Sequence, residues 1–197
     1  MHTLAGYFRE QAAEVLTLRA GLPLAALDEF APDLVVLSPG PGRPADFACT
    51  ELLAQLDLRG LPAFGVCLGL QAMVEHAGGE LALLSEPVHG KPGTIVRARP
   101  AGPGGPGPGL LAGLPATFTA ARYHSLYAVP EQVKGGFEVT AVTADQVVMA
   151  IEDAAAGRWA VQFHPESILT AAGGAGHQVI ANVLRLCRDR AGRQLVT

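Results

Sequence analysis

Charge is scarce in this sequence: Asp, Glu, Lys and Arg supply 16% of its 197 residues, and no two basic residues adjoin. With a formal net charge of −4 and a pI near 5.8, it offers no basic footprint for a nucleic-acid backbone. Cysteine is sparse too. Cys49, Cys67 and Cys187 are odd in number and lack CxxC spacing, which fits a reducing compartment better than a disulfide framework or a zinc site. The six histidines are scattered, with no HExxH pair, so neither a metal nor a cofactor is expected. Long apolar runs are missing: residues 61–70 are interrupted by glycine and proline, well short of the roughly 20 residues that span a bilayer. The opening residues lack the basic flank, apolar stretch and cleavage site of a secretory signal, so a cytoplasmic location is expected.

What remains is apolar. Hydrophobic residues make up 49% and the mean hydropathy is +0.29, enough for a large core and consistent with one domain over residues 1–197. Short Val/Leu/Phe runs alternate with turn signals, as in a doubly wound α/β fold whose parallel strands are buried on both faces. The pattern predicts helices over 2–13, 24–30, 47–56 and 68–77, the last closed by Gly78-Gly79, with strands over 15–18, 34–37 and 62–66. Beyond Glu80 it predicts short segments at 81–84, 94–98, 116–120, 137–142, 147–151 and 159–163. These form a smaller antiparallel extension before a final helix over 177–190. Residues 100–109 are almost wholly Gly and Pro and read as a surface loop. The GxGxxG match at 102–107 is spurious, because its prolines forbid the helix that a phosphate site needs.

Chemistry concentrates in three places. Gly65-Val66-Cys67-Leu68-Gly69 has the spacing of a nucleophile elbow, with glycines making room for a sharp strand-to-helix turn. A cysteine there meets the positive end of a helix, which favours thiolate. In so apolar a run Cys67 could equally be a small buried hydrophobe, and the flanking glycines weigh against that. Cys49 and Cys187 have no elbow and read as structural. Gln162-Phe163-His164-Pro165-Glu166-Ser167 follows an apolar strand, and residues two apart share a face, so His164 and Glu166 can act as base and orienting group. Standing alone, they could be a capping histidine and a solvated carboxylate. Ser38-Pro39-Gly40-Pro41-Gly42 follows the 34–37 strand, where such sheets hold ligands. It is either an ordinary turn or, with the elbow nearby, the source of a Gly40 N–H that joins the Leu68 N–H in an oxyanion hole.

These segments, together with Tyr-His-Ser-Leu at 123–126, resemble the signatures of the class I, triad-type glutamine amidotransferases, in order and through essentially the whole chain. The resemblance implies Cys67 as nucleophile, His164 as base and then acid, Glu166 orienting His164, and Gly40 with Leu68 as oxyanion donors. Gly40, Pro41, Gly42, Gln71, Ser125 and Leu126 match positions that hold L-glutamine. His89-Gly90-Lys91, the Arg122 context and Ser38–Asp46 look like the anthranilate synthase branch, especially forms fused to their synthase, which implies a chorismate-using partner. The aminodeoxychorismate and phenazine relatives share many of these motifs. His89-Gly90-Lys91 reads as an interface element or a β turn. A γ-glutamyl cysteine hydrolase of the same fold and a weakly catalytic partner-binding module are the rival readings. The family usually opens with an apolar strand that this sequence lacks, so the resemblance implies a domain without its usual first strand.

Overall fold

A computed structural model of the chain describes residues 2–11, 13–19, 21, 25–98 and 109–194. Helices α1 (His2–Glu10) and α2 (Ala25–Phe30) precede β1 (Val35–Leu37). A 3-10 turn (Pro44–Phe47), α3 (Cys49–Arg59), β2 (Ala63–Val66) and α4 (Leu68–His76) follow. Next come β3 (Ala82–Arg97), β4 (Thr117–Tyr127), β5 (Glu138–Val142), β6 (Val148–Asp153), β7 (Arg158–Val161), α5 (Ile168–Ala171) and α6 (Ala175–Gln194). The seven strands form one sheet in the order β1-β2-β7-β6-β5-β3-β4. β1, β2 and β7 run parallel, and the remaining neighbours pair antiparallel.

Strand alternation makes the sheet two-faced. On one face Phe64, Val66, Trp159, Val161 and Phe163 pack with Leu4 and Phe8 of α1 and with Val179, Ile180 and Val183 of α6. On the other, Ala63 and Ala160 make room for Leu53 and Leu56 of α3 and Leu70, Met73 and Val74 of α4. Helices therefore cover both faces, which is why β2 and β7 are fully buried and lack polar alternation.

Three expectations need correction. Residues 13–19 contain no strand: an extended segment becomes one only by pairing, and none pairs with it among the described residues. Val15 still packs on the core, whereas Leu16 and Leu18 are exposed. The segments expected at 81–84 and 94–98 are one strand, β3, running through Pro87, Gly90 and Pro92. Proline is tolerated there because β5 pairs only with Val96 and Arg97, so most of β3 has a single neighbour, and its register is broken between Leu83 and Val88 and between His89 and Lys91. His89-Gly90-Lys91 is accordingly a β-bulge inside a strand rather than a turn. The Gly/Pro stretch at 100–108, with its GxGxxG match, and Leu24 lie outside the described residues. No helix among the described residues is long and apolar enough to cross a membrane.

Candidate active site

The carboxyl ends of the parallel strands converge on one place. β1 leads to Gly40, β2 to Cys67, and β7 to Gln162 and His164. Cys67 occupies the corner between β2 and α4 with φ 53° and ψ −96°, a positive-φ conformation unusual for a residue with a side chain. Its N–H donates to Val161 O at 2.8 Å, tying the corner to β7. Two glycines permit the turn. A Cβ on Gly65 would lie 2.6 Å from the Gly69 carbonyl carbon, and one on Gly69 would lie 2.6 Å from Leu37 O. Both clashes are with backbone, so helix α4 reaches the sheet only because these side chains are absent.

His164 Nδ1 donates to Glu166 Oε1 at 2.8 Å, and both side chains are mostly buried. The main chain of His164 is clamped: its N–H donates to Ala121 O at 3.0 Å, and its carbonyl accepts from the Thr170 hydroxyl at 2.7 Å. The same hydroxyl accepts from Ala121 N–H at 2.9 Å. The Tyr123 ring packs edge-on against His164 with centroids 4.9 Å apart, and against His89 at 5.4 Å. His164 Nε2 is buried and has no hydrogen-bond partner of good geometry among the described residues. Burial works against a charged ring, but Cys67 and Glu166 outweigh it and push the His164 pKa up to about 9. Cys67 therefore acts on the ring by charge and proximity, with Nε2 left to meet a reacting group.

Gly40 lies against Leu68: a Cβ on Gly40 would sit 3.2 Å from Leu68 Cδ2. Leu68 opens α4, where the first backbone N–H groups have no intrahelical acceptor. Pro41 and Gly42 are exposed just beyond Gly40, and Ser125 is half-buried on β4. Gln71 is buried on α4, with Nε2 donating to Leu126 O at 3.2 Å and to Gln162 Oε1 at 3.3 Å. Leu126 O also faces His124 Nδ1 at 3.0 Å, while Arg122 Nε donates to His124 Nε2 at 3.1 Å. Arginine can only donate, so His124 carries its proton on Nδ1 and gives it to Leu126. Burial first, and then the Arg122 charge, push the His124 pKa down to about 4 and keep the ring neutral.

Sequence reasoning overlooked Gln162, Tyr123 and Thr170. Gln162 stands two residues before His164 on the same face, the spacing that also pairs His164 with Glu166. Thr170 is brought back by the short turn into α5, and local pattern carries no signal for that. Cys49 and Cys187 lie away from the site; both are buried, and burial pushes both thiols up.

The family model described as "Glutamine amidotransferase class-I" matches residues 1–184. The chain belongs to that family. "Anthranilate synthase" of Azospirillum brasilense is 53% identical over 184 residues, which cover 93% of this chain but 24% of that protein. This chain thus corresponds to about a quarter of that relative's length. "Aminodeoxychorismate synthase component 2" of Escherichia coli is 37% identical over 179 residues, covering 90% of each. "Anthranilate synthase component 2" of Haloferax volcanii is 38% identical over 195 residues, covering 93% of this chain and 89% of that protein. A crystal structure described as "a putative gmp synthase subunit a protein" from Thermoplasma acidophilum superposes with a TM-score of 0.82 at 20% identity, over 98% of this chain and 90% of that one. A glutamine amidotransferase from Thermotoga maritima gives 0.67 at 14% identity, over 95% and 90%. These two likenesses establish the α/β fold.

Proposed function

We propose that this single amidotransferase domain hydrolyses L-glutamine to glutamate and ammonia through a γ-glutamyl thioester on Cys67. The observation that carries the reading is the convergence of an elbow cysteine with a buried His164–Glu166 pair whose charged form its neighbours favour. Cys67 sulfur attacks the side-chain amide carbon, and the resulting oxyanion is received by the N–H groups of Gly40 and Leu68. Protonated His164 then gives its proton to the departing nitrogen, the C–N bond breaks and ammonia leaves. The now neutral imidazole takes a proton from water as that water attacks the thioester. Cleavage of the C–S bond releases glutamate and regenerates the starting pair. Gly40, Pro41, Gly42, Gln71, Ser125 and Leu126, at positions that match glutamine-holding residues of the family, bind the substrate.

Ammonia passes to a chorismate-using synthase, either a separate subunit or part of a longer chain, for anthranilate formation. The 53% identity to an anthranilate synthase supports this acceptor. The 37% identity to an aminodeoxychorismate synthase component supports the second reading, in which the product is aminodeoxychorismate. Purified protein should release glutamate from glutamine; Cys67→Ala should abolish the release, and Cys49→Ala should leave it intact. Equal turnover by wild type and Cys67→Ala would sink the mechanism. Supplying a chorismate-using synthase and identifying the aromatic product separates the two acceptors.

A further inference from the structure

The nucleophile touches a polar side chain outside the Cys–His–Glu set. Gln162, fully buried after β7, places Nε2 3.4 Å from Cys67 Sγ, within range for a hydrogen bond to sulfur. Its orientation is not free. Leu126 O is a carbonyl and can only accept, so the Gln71 nitrogen must face it at 3.2 Å. The second hydrogen of that nitrogen points to Gln162 at 3.3 Å, so the Gln162 oxygen must be the atom that receives it. The nitrogen of Gln162 is then the atom left facing the sulfur. Main-chain contacts hold both ends of this chain: Gln162 N–H donates to Met149 O at 2.9 Å, and Leu126 O also receives His124.

We propose that Gln162 is a further catalytic residue, whose carboxamide donates to the Cys67 sulfur and stabilises it as the thiolate. The physical case rests on burial. Cys67 is only 5% exposed as a residue, so an anion on its sulfur would have little water to solvate it, and an unsolvated charge is costly unless donors replace that water. The amide has no solvent to turn to either, so its N–H is committed to sulfur. The same donor supports sulfur twice in the cycle, before attack on the amide and again when the C–S bond of the thioester breaks. Gln71 acts through Gln162 as a positioning residue, because its nitrogen decides which end of the second amide meets the nucleophile.

The assignment rests on Cys67 being the reactive thiol, and alkylation tests it without glutamine. Cys67 in the full chain is reacted with iodoacetamide across a pH series, and peptide mass spectrometry separates it from Cys49 and Cys187. Gln162→Leu should slow alkylation at pH 7 by about tenfold, the size carried by a hydrogen bond to a charged group, and move the profile to higher pH. Gln162→Met should do the same, and kcat/KM for glutamine should fall in parallel. Gln71→Met keeps the donor but frees its orientation, so it should slow alkylation less. A folded Gln162→Leu protein with an unchanged alkylation profile would overturn the proposal. If neither Gln162 variant folds, the side-chain amide protons of Gln162 in the unaltered chain decide it by NMR: they must shift with Cys67 ionisation, and resonances indifferent to it overturn the assignment. Should alkylation respond to Gln162 while the wild type hydrolyses no glutamine, the amidotransferase reading fails and the sulfur–amide contact stands.

Discussion

His164 holds its proton against its own burial. Desolvation would lower its pKa, yet Cys67 and Glu166 raise it from the ordinary 6.5 to about 9. In the proposed reaction the ring is therefore, at neutral pH, the acid for the departing ammonia, and it becomes a base only after giving its proton away. A raised histidine pKa contributes stability that is fully present below the unfolded value of 6.5 and is lost as pH rises through about 9. Glu166→Gln keeps the shape and removes one of the two favouring charges, so the folded pKa falls. The expected outcome has two parts. The alkaline limb of kcat/KM for glutamine moves to lower pH, with activity at pH 8 falling by about tenfold to a hundredfold. The melting-temperature gap between wild type and variant also narrows as pH is raised from 7 to 10. An alkaline limb that stays in place would mean that Glu166 only fills space.

At the scale of elements, the site is a strand-to-helix corner, and its two glycines set how closely α4 can lie. Gly69→Ala would place a methyl group 2.6 Å from Leu37 O, so α4 must move off β1 and carry Cys67 with it. Overpacking of this kind costs about 1–3 kcal/mol. A nucleophile displaced by about 1 Å loses roughly a hundredfold in rate. Glutaminase assay and thermal melting of Gly69→Ala should show both effects, and an unaltered kcat/KM would contradict this account of the elbow. The corner was legible in the sequence because glycine spacing and strand alternation are local properties. The same locality explains what was not legible. β3 is continuous across Pro87 and Pro92 because β4 pairs along it, and that partner lies about 30 residues away in sequence. Residues 15–18 carry a strand-like apolar pattern but have no neighbour to pair with among the described residues. Thr170 reaches His164 through a fold-back that periodicity does not encode. Gln162 was readable, being in register with His164, but an amide signals chemistry only once a sulfur is seen beside it.

Taken as a whole, the sheet separates chemistry from anchorage. Cys67, His164 and Gln162 follow the carboxyl ends of β2 and β7, whereas Arg158 begins β7 at the opposite end. Its buried guanidinium donates from Nη1 to Leu61 O at 2.6 Å and from Nη2 to Asp57 Oδ1 at 2.5 Å. Asp57 in turn receives His76 Nε2 at 2.6 Å, so one carboxylate on α3 joins β7 to the end of α4. Partial burial would raise the pKa of Asp57, but His76 and Arg158 hold it below the ordinary 3.8. A depressed carboxylate contributes stability above 3.8 that is lost as pH falls through its folded value. Asp57→Asn keeps the size but weakens two charge-assisted hydrogen bonds at a half-exposed position, a loss of about 1–2 kcal/mol. For a chain of this length that lowers the melting temperature by about 2–8 °C at pH 7. The difference from wild type should begin to shrink as pH falls below 3.8 and should vanish once pH passes the depressed folded value, where the wild-type carboxylate is protonated as well. Because the pin lies at the far end of the strands from Cys67, glutamine turnover per folded molecule should be unchanged at 25 °C. A variant that melts like wild type, or that loses turnover while still folded, would show that the two ends of the sheet are not independent.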